Sequence, residues 1–269
     1  MCQFQDDEKF AEKNKYGNLV TSKNGYNSYL LIQDEYSKHI WTFLFATKDP
    51  PIDTVKMFLD QYGNKTGMRK IRTDNGGELA KSGKFRNMVK HSGYILETTA
   101  PESSFQNGQV ERTHRTLSAM MRSMLSGAAL THEYWSYALI HAVYLRNRLP
   151  HKGLPPDKTP LELYTGRRPS LSHLKVFGSL VYVKTPKIKK NKLDTDNITT
   201  GIFLHFTSTD RNVMYEDATT SEVKSARHAV FDELHYSALV KPTYASAILK
   251  QLEDAIPKPK QRKFQKYML

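Results

Sequence analysis

The sequence predicts an α/β domain followed by a small β-rich unit. Three observations carry that prediction. Strand-like runs come first, and helical patterns interleave with further short strands up to about residue 150. A Pro- and Gly-rich stretch, LPHKGLPPDKTPLELYTGRRPS, then breaks the pattern and marks a linker over 151–172. Beyond it, residues 176–183, 200–205 and 224–231 read as short strands with turns between them, a β-rich unit over 173–235.

Taken in order, residues 1–24 carry little apolar periodicity and are expected to be poorly structured. Residues 26–33 and 39–46 read as strands, separated by the polar turn DEYSK. In DTVKMFLDQY, apolar residues at Val55, Met57, Phe58 and Tyr62 behind a capping Asp53 predict a helix. Residues 68–73 form a short strand that runs into DNGGE. Residues 85–91 suggest a helix stopped near Gly93, and 95–98 a further strand. After PESSFQNG, apolar residues at Val110, Leu117, Met121, Met124 and Leu125 predict a long helix. A second helix runs from about His132 to Leu149, with Trp135, Leu139 and Val143 on one stripe. The domain thus covers 25–150, and 236–269 is a basic tail.

Charge points to the class of partner. Lys and Arg number 40 against 27 acidic residues in 269, a formal charge of +13. A surplus of that size suits a polyanion, and nucleic acid is the commonest. A protein that is merely basic and soluble gives the same count. The single cysteine, Cys2, excludes a disulfide framework and any zinc site built on two or more thiolates. No apolar run is long enough to span a bilayer, and the N-terminus has no signal-peptide pattern. An intracellular protein with no membrane partner is expected.

Two motifs carry chemistry. In IRTDNGGE a strand delivers Asp74 to its C-terminal end, and Asn75-Gly76-Gly77 turn the chain sharply. Strand ends are where ligands sit in open α/β sheets, and a carboxylate there suits a hard cation such as Mg²⁺. A simple turn uses the same residues for backbone reasons alone. In QNGQVERTHRTL, Gly108 is expected to loosen the entering loop, and Glu111 to fall in the first helical turn. Helical spacing groups Glu111, His114, Arg115, Ser118 and Arg122 on one face and Val110, Leu117, Met121 and Met124 on another. Acidic residues are also favourable in a first turn through the helix dipole alone. Together the motifs place two carboxylates 37 positions apart, at a strand end and a helix start. Two-metal nucleases and strand transferases use this arrangement, with ions about 4 Å apart.

At these residues the chain resembles the integrases of copia-type retrotransposons. NGYNSYLLIQDEYS, IRTDNGGE, SSFQNGQVERTHRTL, EYWSYALIHAVYLRNRLP, TPLELYTGRRPSLSHLKVFGSLVYV, KLDTDNITTGIFLHF and HAVFDE follow one another as that family's blocks do, over roughly 14–235. The resemblance implies an RNase H-like catalytic core, a mixed sheet with flanking helices, followed by a small β-barrel. It implies Mg²⁺- or Mn²⁺-dependent trimming of DNA 3′ ends and their transfer into target DNA. Asp74 and Glu111 are then the second and third members of an acidic metal-binding triad. A homo-oligomer acting on element ends and target DNA, in the nucleus or a cytoplasmic particle, is implied as well.

The sequence departs from the family at the first triad position. The family pattern Asp-x-x-Gly-Pro is best matched by NKYGN, which puts Asn14 where the Asp belongs. An uncharged amide is a weaker metal ligand than a carboxylate. Asp6 or Asp7 would serve only if the register slipped, and the segment before Asn14 reads as too polar for a central strand. Asp34 is expected to cap a turn. The family's upstream Cys/His zinc module is absent, so a fragment, a degenerate copy and a host-adopted gene all remain open. Candidate DNA contacts are Asn107, Arg112, His114, Arg115 and Arg122, with Lys187, Lys189 and Lys190 in KTPKIKKNK. The rival to an active integrase is a DNA-binding remnant without catalysis.

Overall fold

The computed structural model describes residues 2–6, 20–47, 51–63, 69–73, 78–98, 104–184, 198–207 and 212–236. The first sheet has strands β1 (Cys2–Asp6), β2 (Ser28–Asp34), β3 (Ile40–Phe45), β4 (Lys70–Thr73) and β5 (Ile95–Thr98). Their spatial order is β3-β2-β1-β4-β5. β1 runs antiparallel to β2 and parallel to β4, and β5 runs parallel to β4. The expectation that 1–24 would be poorly structured is therefore corrected for 2–6: the strand at the centre of the sheet lies there. Five residues with apolar positions only at Cys2 and Phe4 are too few for periodicity to reveal. Pairing with distant neighbours on both sides decides their conformation.

Helix α1 (Ile52–Phe58) continues into a single π-helical turn, Leu59–Gly63. The short helix α2 (Glu78–Lys81) precedes α3 (Gly83–His91), whose Ser82 caps Phe85 N–H at 3.3 Å. These helices cover one face of the sheet, where Leu30, Ile32, Ile71, Phe58 and Phe85 are buried together with Trp41 and Phe43 packed against them. The other face carries α4 (Ser104–Gly127) and α5 (Trp135–Arg148), which meet Tyr29, Leu31 and Ile40 through Leu117, Leu125, Leu139 and Ala142. Alternation along each strand sends even-numbered β2 residues to the first face and odd-numbered ones to the second.

The second sheet contains β6 (Ser179–Lys184), β7 (Ile198–Phe206), β8 (Val213–Asp217), β9 (Val223–Ala226) and β10 (Ala229–Tyr236), in the order β10-β6-β7-β8-β9. All pairings are antiparallel. The expected small β-barrel is not found as a closed one: among the described residues no pairing joins β9 to β10. The sheet nonetheless curls. Only Arg227 and His228 separate these two edge strands, and three Cα steps reach no more than about 11 Å.

Two further expectations change. The stretch read as a plain linker contains helix α6 (Pro160–Thr165). Thr159 accepts a hydrogen bond from Glu162 N at 3.1 Å, Pro160 starts the helix, and Gly166 ends it at φ +74°. That is cap, N1 proline and left-handed stop in sequence order. Tyr164 then packs edge-on against Trp41 at 5.1 Å. Nor does the β-rich unit stand apart. Ile202 and Leu204 of β7 share one buried cluster with Tyr29, Ile40 and the body of α5. Glu216 of β8, wholly buried, accepts from Tyr134 at 2.5 Å and pairs with Lys23 at 2.7 Å, tying the second sheet to residues beside the first.

Candidate nucleic-acid interface

The α4 face of the first sheet is assembled by register. Cys2, Gln3 and Phe4 of β1 lie opposite Ile71, Arg72 and Thr73 of β4. Ile71 and its β5 partner Leu96 belong to the cluster on the far face. Arg72 and Glu97, one residue on, therefore stand on the α4 face. Gln33, opposite Gln3, shows that α4 lies over this level, since its Oε1 accepts from Thr113 Oγ1 at 3.1 Å. Strand β4 ends at Thr73, and the next residue in sequence is Asp74, which lies outside the described residues.

Helix α4 presents two different flanks to its neighbours. On one flank Thr113 reaches Gln33, and Gln109 Oε1 accepts from Lys38 Nζ at 3.0 Å in the β2–β3 turn. At about 100° per residue, Glu111, Arg115 and Arg122 lie on the opposite flank. The strand order puts β4 and β5 on that side. Glu111, Arg112, Arg115 and Arg122 are all exposed. None of the four makes an ion pair among the described residues. Helical spacing thus puts Glu111, Arg115 and Arg122 on the flank of α4 turned toward β4 and β5.

Three expectations about this helix are corrected. It begins at Ser104, so Glu111 lies two turns in rather than in the first turn, and Gly108 is inside the helix rather than in an entering loop. The supposed common face also divides. His114 and Ser118 turn into the core while Glu111, Arg115 and Arg122 stay out. Tyr29 Oη and His114 Nδ1 lie 3.3 Å apart, and burial pushes the imidazole down to about 4. A neutral, enclosed imidazole is no phosphate contact, so His114 leaves the set of DNA-binding candidates. One face of a helix spans many degrees, and residues near its margin are sorted only by what packs there.

Asp34 caps its turn as expected, accepting from Ser37 N at 2.7 Å and from Ser37 Oγ at 2.6 Å. Asn14, Asp74, Lys187, Lys189 and Lys190, and the Asn107 side chain, fall outside the described residues. β1 adds a register that the motif reading missed: Phe4 pairs with Thr73, the last residue of β4. Pairing between distant strands sets that register, and a sequence alone does not contain it. Among the described residues no three His, Cys, Asp or Glu side chains come together as a metal site, and no helix is long and apolar enough to cross a membrane.

Comparison with known proteins gives a consistent set of relatives. The chain is 32% identical over 216 residues to the retrovirus-related Pol polyprotein from transposon TNT 1-94 of Nicotiana tabacum, covering 80% of this chain and 16% of that protein. It is 28% identical over 240 residues to the Pol polyprotein from transposon RE2 of Arabidopsis thaliana, covering 88% and 16%. For transposon RE1 of the same plant the identity is 29% over 216 residues, covering 80% and 14%. The chain spans about one-sixth of the length of these relatives. No protein-family model matches. A solved simian T-cell lymphotropic virus intasome in complex with PP2A regulatory subunit B56 gamma aligns with a TM-score of 0.43 and 18% identity, over 84% of this chain and 75% of that one.

Proposed function

We propose that this chain, which belongs to the retrovirus-related Pol polyprotein family of copia-type transposons, is the integrase region of such a polyprotein. In this reading the first sheet and its helices are an RNase H-like core that holds DNA along α4 and the ends of β1 and β4. One observation carries the reading: Glu111, Arg115 and Arg122 are exposed together on the flank of α4 opposite the one that meets Gln33 and Lys38. Cationic side chains without protein partners contact phosphates, and a carboxylate beside them suits the reacting centre. The reaction is trimming of the element's DNA 3′ ends and their transfer into target DNA, by a multimer, in the nucleus or a retrotransposon particle.

Asp74 and Glu111 are hard oxygen donors of the kind that Mg²⁺ and Mn²⁺ take, and they would hold the ion. A bound ion there acidifies the attacking hydroxyl and neutralises charge on the leaving oxygen. The donor set is short by one, because Asn14, a neutral amide, stands at the motif's first acidic position. That substitution favours a second reading: a DNA-binding remnant without catalysis.

The two readings separate in one assay. The purified chain is tested for Mn²⁺- or Mg²⁺-dependent nicking and end-joining of DNA beside Asp74→Asn and Glu111→Gln. Activity in the parent that drops about 100-fold or more in both variants supports the integrase. Inert proteins that all bind DNA support the remnant. A parent that does not bind DNA at low salt overturns both.

A further inference from the structure

We infer that Lys70 and Arg72 form a phosphate-contact shelf beside α4 and that Glu97 holds this shelf closed, setting how tightly the face grips a nucleic-acid backbone. The inference deepens the DNA-binding reading above and rests on it.

The shelf lies on the β4–β5 half of the sheet's α4 face. Lys70 and Ile95 are exposed there, and Arg72 and Glu97 are half-buried. Arg72 and Glu97 are register partners on β4 and β5. Lys70 stands two residues before Arg72 on the same face, about 6.6 Å along the strand.

Both cations are tied to one carboxylate. Lys70 Nζ lies 2.7 Å from Glu97 Oε1, and Arg72 Nη2 lies 3.3 Å from Glu97 Oε2. On α4 the situation is reversed: Arg115 and Arg122 have no carboxylate on them among the described residues. Among those residues, one wall of the proposed site offers cations outside any ion pair, and the other offers cations already occupied by an anion. A phosphate makes the same charge-assisted contacts as a carboxylate, so nucleic acid must displace Glu97 to use this wall. The hydrogen bond from Lys70 holds the Glu97 carboxyl below its usual range, with Arg72 contributing. Glu97 therefore stays anionic at neutral pH and competes with the backbone under ordinary conditions.

The test is binding of a fluorescent random-sequence DNA duplex to the full chain across a series of salt concentrations. Glu97→Gln keeps the side chain's shape and removes its charge. It is expected to bind about three- to tenfold tighter near 0.1 M salt. Its plot of log affinity against log salt should steepen by about one to two, since each freed cation that meets a phosphate adds about 0.9. Adding Lys70→Gln and Arg72→Gln to Glu97→Gln should abolish the gain. Glu162→Gln, the same charge change within the Lys158–Glu162 pair at the start of α6, should leave binding as it was. If the parent binds DNA and Glu97→Gln changes neither affinity nor slope, or if Glu162→Gln gives an equal gain, Glu97 is a cross-strand ion pair and nothing more. If the parent does not bind DNA at all, the reading beneath the inference fails with it.

Discussion

Helices α4 and α5 lie on the same face of the same sheet and are built to opposite ends. α5 is enclosed nearly all round. Even His141, Arg146 and Arg148 are buried, because the first sheet meets it on one side and β7 on the other. α4 buries one stripe, Val110, Leu117, Met121 and Leu125, and leaves Glu111, Arg112, Arg115 and Arg122 in solvent. A helix enclosed by two sheets has no surface left for a ligand, whereas a helix at the margin of one sheet keeps a flank. On the proposed reading, that difference gives stability to α5 and recognition to α4.

The comparison breaks most sharply where the second sheet docks. Gly178 has φ +79°, and a Cβ built there would fall 2.2 Å from Ala128 Cβ, just beyond α4. Gly178→Ala should therefore cost about 3 kcal/mol or more, read as a lower urea midpoint, through strain and overpacking together. An unchanged midpoint would mean that the second sheet does not bear on the core at this point.

Acid should loosen the same region next. Burial pushes His141 down to about 3, with the nearby His205 adding to the effect, and burial lowers His205 itself. A histidine depressed in the folded state stabilises above its unfolded value of about 6.5 and loses that contribution as pH falls toward the folded value. Urea midpoints should fall between pH 7 and 4, and His141→Leu should flatten the decline. An equal decline in both proteins would move the cause to the other buried histidines, His39 and His114, each held at about 4 chiefly by burial.

A smaller effect is expected where α5 meets the sheet edge. Asn147 Oδ1 accepts from Ile40 N at 2.9 Å, and its Nδ2 donates to Ile40 O at 2.8 Å, closing the outer edge of β3. Asn147→Ala removes both bonds and should cost about 1–2 kcal/mol. On α4, by contrast, Arg115→Gln should leave the urea midpoint unaltered. It should weaken DNA binding at all sequences alike and reduce the salt slope by about one. A drop in stability with no change in DNA binding would reverse the roles given to the two helices.

Much of this was legible along the chain. The period of 3.6 identified α4 and its apolar stripe. DNGGE marked the end of β4, and DEYSK the turn that Asp34 caps. The capping signals in TPLELYTG were also present and were hidden only by the prolines around them. What failed was of another kind. β1 is five residues long and carries no pattern of its own. His114 sits at the margin of a helical face, where a spacing count cannot say in from out.

The sequence by itself determined the family, the charge and the order of most strands and helices, β1 and α6 excepted, because local spacing and composition dictate these. Only the tertiary structure decided that β1 pairs with β4, that α5 is shared by two sheets, and that Glu97 meets both Lys70 and Arg72. Each of these is a contact between residues far apart in the chain. Strand register and burial set such contacts, and neither is written in any short stretch of residues.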